Sequence, residues 1–179
     1  MTNSEIAKQL TEAHEQFCSI VGGIDQAASE RQPNPGEWSV GEVVHHLVLM
    51  ETMIRRMCRA ISWGLLSKEL PPEKHKPAPL HRVSKRAERV KASRMFIPLH
   101  GRSLEQLLQK LDNERQKTIK FARRVNLDKL RRRFVRHPFI GVLSGEEWIA
   151  FLAHHQQRHA KQIEEILARI GKSNAGPKK

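Results

Sequence analysis

His155 and His159 lie four residues apart, and His46 stands far upstream in the run Val43-Val44-His45-His46-Leu47. On a helix, residues at i and i+4 share one face with their Cβ atoms about 5–6 Å apart, close enough for a single ion to take a nitrogen from each ring. A third imidazole from another helix would leave coordination positions open, as in catalytic rather than structural zinc-type sites. The chemistry on offer is that of a divalent ion with exchangeable positions, activating a water for hydrolysis or a thiol for transfer.

The chain has 10 histidines, so the three need a reason to be singled out. Helical phase supplies it. At about 100° per residue, with Val43 at zero, Leu47, Met50, Ile54 and Met57 fall within roughly 40°, His46 near −60° and His45 near 200°. With Leu152 at zero, Trp148, Ile163 and Ile166 fall within roughly 40°, His159 near −20°, His155 near −60° and His154 near 200°. Each His-His doublet thus offers one inward and one outward ring.

A single histidine on an apolar face is ordinarily a hydrogen-bonded core residue. Three unpartnered rings would cost about 1–3 kcal/mol each, whereas one divalent ion satisfies a nitrogen of every ring and leaves the other for an outer-shell oxygen. Glu42, one turn before His46, and Gln162, three residues after His159, are the candidates for such a supporting role. Glu42 is also the candidate catalytic base for a hydrolytic reaction. His14, His75, His81, His100 and His137 have no partner at ligand spacing and are read as surface or loop residues.

Four helices are expected to carry these residues. Ser39-Val40-Gly41-Glu42, Ser103-Leu104-Glu105-Gln106 and Ser144-Gly145-Glu146-Glu147 each read as a capping box, and Thr2 with Glu5 as a weaker one. The apolar stripes agree. Ile6, Leu10, Ala13, Phe17 and Val21 mark the first helix, and Val40 through Ile61 the second, stopped near Gly64. Leu104, Leu107, Leu111, Thr118, Ala122 and Val125 mark the third; Trp148 through Ile170 mark the fourth, with Gly171 in a C′ position. No segment shows the period of two that strands require. The pattern predicts an all-α four-helix bundle, a fold that builds cofactor sites from inward-pointing side chains on facing helices.

Between the second and third helices runs a basic, Pro-containing insert over 66–101, with Pro71, Pro72, Pro77, Pro79 and Pro98. From Lys68 to Arg102 it holds ten Lys/Arg against three Asp/Glu, and its His81–Arg94 half could form a short basic helix. A second basic cluster, Lys129, Arg131, Arg132, Arg133 and Arg136, precedes His137-Pro138-Phe139 in a loop before the fourth helix. The expected organisation is one domain over 1–171 followed by a frayed tail over 172–179.

The chain has 179 residues and a net charge of +13. Such a charge favours polyanions, membranes or acidic small molecules as partners, and equally suits plain solubility. Cys18 and Cys58 fall in helical patterns without C-x-x-C spacing and read as buried free thiols of a reducing compartment. No secretory signal and no membrane span is expected, so a cytoplasmic location follows. There is no P-loop, no dinucleotide fingerprint and no nucleophile elbow.

The segment Trp38-Ser39-Val40-Gly41-Glu42-Val43-Val44-His45-His46-Leu47, with Glu51 shortly after, resembles the second-helix signature of the DinB/YfiT-like metalloenzyme family. So do His137-Pro138-Phe139-Ile140-Gly141, Glu147-Trp148 and the run from His155 through Ile163. The resemblance implies an up-down-down-up bundle, often dimeric, with His46, His155 and His159 holding zinc, nickel or a similar divalent ion. It also implies activities such as thiol S-transfer with a low-molecular-weight bacterial thiol. Three functions are carried forward: a metal-dependent enzyme of thiol-transferase or hydrolase type acting on a small molecule, a basic nucleic-acid-binding module, and a non-catalytic metal-binding protein. Against the second, the chain has no Tyr and only 5% aromatic residues, which leaves few stacking platforms for bases.

Overall fold

Three of the four long helices begin at a reciprocal capping box. Thr2, Ser39 and Ser144 each accept from the amide three residues on, while Glu5, Glu42 and Glu147 reach back to the cap's own N–H. Ser103 caps the other long helix from one side only, accepting from Gln106 N–H. The computed structural model describes residues 1–69, 75–85 and 93–174, with side chains through Gly171.

The long helices are α1 (Asn3–Val21), α3 (Val40–Ser62), α4 (Leu104–Arg124) and α6 (Gly145–Asn174), joined by the one-turn helices α2 (Gln26–Glu30) and α5 (Leu127–Arg131). α1 packs on α4 and α6, and α3 packs on the same two. The interior divides into two apolar halves. One takes the N-terminal halves of α1 and α6 with the C-terminal halves of α3 and α4. The other takes the opposite ends of all four. The direction is therefore up-down-down-up. Between the halves lies a buried polar layer containing His14, His46, Glu51, Arg115, His155, Gln156 and His159.

This topology accounts for the insert. α3 and α4 are parallel neighbours, so the chain leaving α3 must travel back over its length, about 34 Å for 23 residues at 1.5 Å each. It does so as a strap across α6 and then α3. Leu80, in a 3-10 turn at Leu80–Lys85, is buried in the core, and the Val83 carbonyl accepts from Arg158. Glu147 fastens the strap while it caps α6: Oε2 accepts from Ser144 N–H and from the His75 ring, both at 2.7 Å, and Oε1 accepts from Ala78 N–H at 2.8 Å.

Several expectations need correction. The chain contains a small antiparallel sheet, β1 (Lys68–Glu69), β2 (Arg133–His137) and β3 (Gly141–Ser144), in the order β1-β2-β3. The basic loop before the last helix is thus a hairpin, with His137 opposite Gly141. Pro138 suits the start of a type I turn, and Gly141 at φ +89° supplies the left-handed residue that closes a three-residue hairpin loop. Strands this short show no legible alternation. α6 runs through Gly171 to Asn174 rather than stopping at the glycine. Cys18 is exposed; Cys58 is buried, and burial pushes its thiol well up from the ordinary range. Of the expected basic helix at 81–94, the first turn is 3-10, a second 3-10 turn covers Arg94–Phe96, and 86–92 lie outside the described residues. No helix among the described residues is long and apolar enough to cross a membrane.

Candidate metal centre

His46 comes from α3, and His155 and His159 come from successive turns of α6. All three rings are buried, between 5% and 8% exposed. One nitrogen of each lies within 4.8 Å of the other two. The structure therefore brings together the three rings that helical phase selected.

Their outer nitrogens set the tautomers. His46 Nδ1–H donates to the Phe96 carbonyl at 2.9 Å, and His159 Nδ1 pairs with Gln162 Oε1 at 2.8 Å. Nε2 of each ring is thereby left as the lone-pair nitrogen, the arrangement usual for histidines that ligate a metal. His155 Nε2 stands 3.2 Å from His159 Nε2. Two nitrogens bound to one zinc at about 2.0–2.1 Å with tetrahedral angles would be about 3.3 Å apart, so the pair is already at ligand separation. The donor set of three imidazoles suits zinc, copper, iron or nickel. Among the described residues, no carboxylate joins the group.

Aromatic rings wall the centre. Trp38 lies 5.0 Å from His46, Phe96 meets the same ring edge-on at 6.5 Å, and Phe151 stacks on His155 at 5.1 Å and 29°. This enclosure has an electrostatic result. Burial lowers the His155 pKa well below the ordinary imidazole value, reinforced by the neighbouring His159 and His46. Burial likewise lowers that of His46, opposed by its bond to Phe96. Both rings stay neutral at pH 7, the form a metal ion requires.

Glu42 is engaged at the start of α3. Its Oε2 accepts from Ser39 N–H at 2.8 Å and from Gln32 Nε2 at 3.1 Å, holding the start of α3. Gln162 does support a ligand ring. His45, phased outward, is also engaged: its Nδ1 accepts from Leu99 N–H at 3.0 Å, so the doublet His45-His46 grips strap residues 96–99 at two points.

Three histidines read as surface or loop residues are in fact engaged. His14 is buried between Asp112 and Gln156. His75 binds Glu147. His137 is buried on Trp148 and Phe151, with Nδ1 accepting from Phe139 and Ile140 N–H. His81 and His100 are exposed. A further set carried no metal-spacing signal: Glu51, Arg115 and Gln156, bonded together inside the bundle. Its trace in the sequence is a charged residue, Arg115, at a position where the α4 stripe calls for an apolar one.

Fold and site together define a four-helix bundle carrying a buried three-histidine cluster, with the rings drawn from two facing helices. Residues 9–163 match the family model of the DinB superfamily. The chain belongs to that superfamily. It is 26% identical over 149 residues to the uncharacterized protein YuaE of Bacillus subtilis (strain 168), covering 83% of this chain and 88% of that one. Among solved structures it resembles YfiT from Bacillus subtilis, described as a probable metal-dependent hydrolase with an unusual four-helix bundle topology. That match has TM-score 0.63 and 17% identity over 94% of this chain and 87% of YfiT. It also resembles TT2238, a four-helix bundle protein, with TM-score 0.61 and 20% identity over 92% and 99% of the two chains. At these identities the structural likenesses establish the fold.

Proposed function

We propose that this protein is a metal-dependent enzyme holding one divalent ion, zinc or nickel, on Nε2 of His46, His155 and His159, and acting on a small molecule. The observation that carries the reading is the convergence of three buried imidazole nitrogens, with the outer nitrogens of His46 and His159 tied to oxygen acceptors. A divalent ion bound there supplies Lewis acidity, lowering the pKa of a thiol or water in its open position.

The chain's own residues do the rest. The imidazoles add no negative charge, so the full cationic charge of the centre faces an incoming anion. Trp38, Phe96 and Phe151 exclude water from the ligand rings and strengthen electrostatics within the site. With no carboxylate in the group among the described residues and Glu42 engaged at the α3 cap, we favour transfer of a low-molecular-weight thiol to an electrophile. The description of YfiT as a probable metal-dependent hydrolase supports hydrolysis as the second reading.

The decisive experiment is elemental analysis of protein purified without an affinity tag, followed by turnover assays with and without a panel of small thiols. One divalent ion per chain, absent from His155→Ala, is expected. Turnover that depends on added thiol supports transfer, and thiol-independent turnover supports hydrolysis. Wild-type protein that binds no divalent ion removes the proposal.

A further inference from the structure

We infer that the buried Glu51–Arg115–Gln156 chain is a positioning device for the metal centre, holding α3 and α6 in the register at which their histidines meet. The inference rests on the metal-binding reading above and assigns residues beyond the ligands and their direct partners.

The geometry is specific. Glu51 lies on α3, five residues beyond His46, or about 7.5 Å along the helix axis. Gln156 lies on α6, next to His155. A side chain from a third helix joins the two. Arg115 of α4 places Nη2 3.1 Å from Glu51 Oε2, 2.7 Å from Gln156 Oε1 and 3.4 Å from the Leu152 carbonyl. One nitrogen thus takes acceptors from both ligand-bearing helices. Gln156 continues the chain to α1, its Nε2 standing 3.0 Å from His14 Nδ1, while His14 Nε2 meets Asp112 at 3.1 Å. All four long helices are tied within the polar layer that contains the three ligand rings.

Stability alone does not explain this arrangement. Arg115 is 1% exposed and Glu51 2%. Glu51 Oε1 and Arg115 Nε and Nη1 are buried with no hydrogen-bond partner among the described residues. A buried pair this incompletely satisfied is commonly no better than well-packed apolar side chains of similar volume. What an apolar replacement loses is direction. Apolar faces tolerate small axial slips, whereas a single nitrogen shared by α3 and α6 does not. A metal centre needs that definition, because donor positions must hold to about 0.5 Å.

The test compares wild type with Glu51→Leu/Arg115→Met, which removes both charges at nearly constant volume, and with Gln156→Met, which cuts only the α6 end. Arg115→Met alone is avoided because it strands a buried carboxylate. Readouts are the thermal midpoint of the metal-free protein, Zn²⁺ affinity by calorimetry, and the visible spectrum of the Co²⁺ form. The double variant is expected to remain folded, yet to bind Zn²⁺ about 10-fold more weakly, with an altered Co²⁺ spectrum. Gln156→Met is expected to show the same loss of affinity. A folded variant of either kind with wild-type affinity and spectrum overturns the inference, and Gln156→Met decides it if the double variant does not fold. Wild-type protein that binds no Zn²⁺ defeats the metal reading itself, a distinct result.

Discussion

The Nδ1 atom of His46 lies 2.9 Å from the carbonyl oxygen of Phe96, a contact that spans 50 residues of sequence. The strap required by the parallel α3–α4 connection therefore also orients the His46 ring. Deleting Met95–Ile97 should leave the helical content unchanged while weakening Zn²⁺ binding by about 10–100-fold, the usual cost of losing such a partner. Circular dichroism and calorimetry together check this. Unaltered affinity would reduce the strap to a connector.

Metal binding should register as stability. At a free Zn²⁺ concentration of 100 times Kd, an ion that binds only the folded chain adds about 2.7 kcal/mol. The wild-type urea midpoint should rise accordingly on adding Zn²⁺, while that of His155→Ala should not move. A rise in both proteins would place the ion elsewhere.

Glu42→Ala separates two roles. If its carboxylate serves the α3 cap, the variant loses about 1 kcal/mol of stability, and turnover changes little. A general base at this position would instead lower turnover by about 10²–10⁴. Denaturation and steady-state kinetics on one preparation distinguish the outcomes.

His137 should make stability depend on pH. Burial lowers its pKa from the ordinary 6.5 to about 4. Above pH 6.5 the ring is neutral in both folded and unfolded chains, and its contribution is fully present. As pH falls from 6.5 towards 4, the unfolded chain takes up a proton that the folded chain refuses, and up to about 3 kcal/mol is lost. Urea midpoints at pH 7 and pH 4.5 should therefore differ less in His137→Gln than in the wild type. Equal differences would show that the hairpin opens before the ring titrates.

Much of this was legible from sequence because helices write their packing into local spacing. The stripes of Val43, Leu47, Met50 and Ile54, and of Leu152, Ile163 and Ile166, identified the buried faces, and the same 100° arithmetic separated His46 from His45 and His155 from His154. The caps at Ser39 and Ser144 marked the helix starts. The hairpin leaves no such trace because five residues from Arg133 to His137 are too few to display a period, and pairing is a relation between segments. His14 is buried rather than at the surface because its bonds to Asp112 and Gln156 join α1 to α4 and α6, contacts that no single segment encodes.

By itself, then, the sequence determined which faces turn inward and which three imidazoles lie on or beside them, because these follow from helix geometry and apolar burial within single segments. Only the tertiary structure decided that those rings meet, that Phe96 and Gln162 hold their outer nitrogens, and that Arg115 bridges the helices bearing them. Such contacts depend on the axial register between helices, which is set by side chains far apart in the chain and has no signature in any one of them.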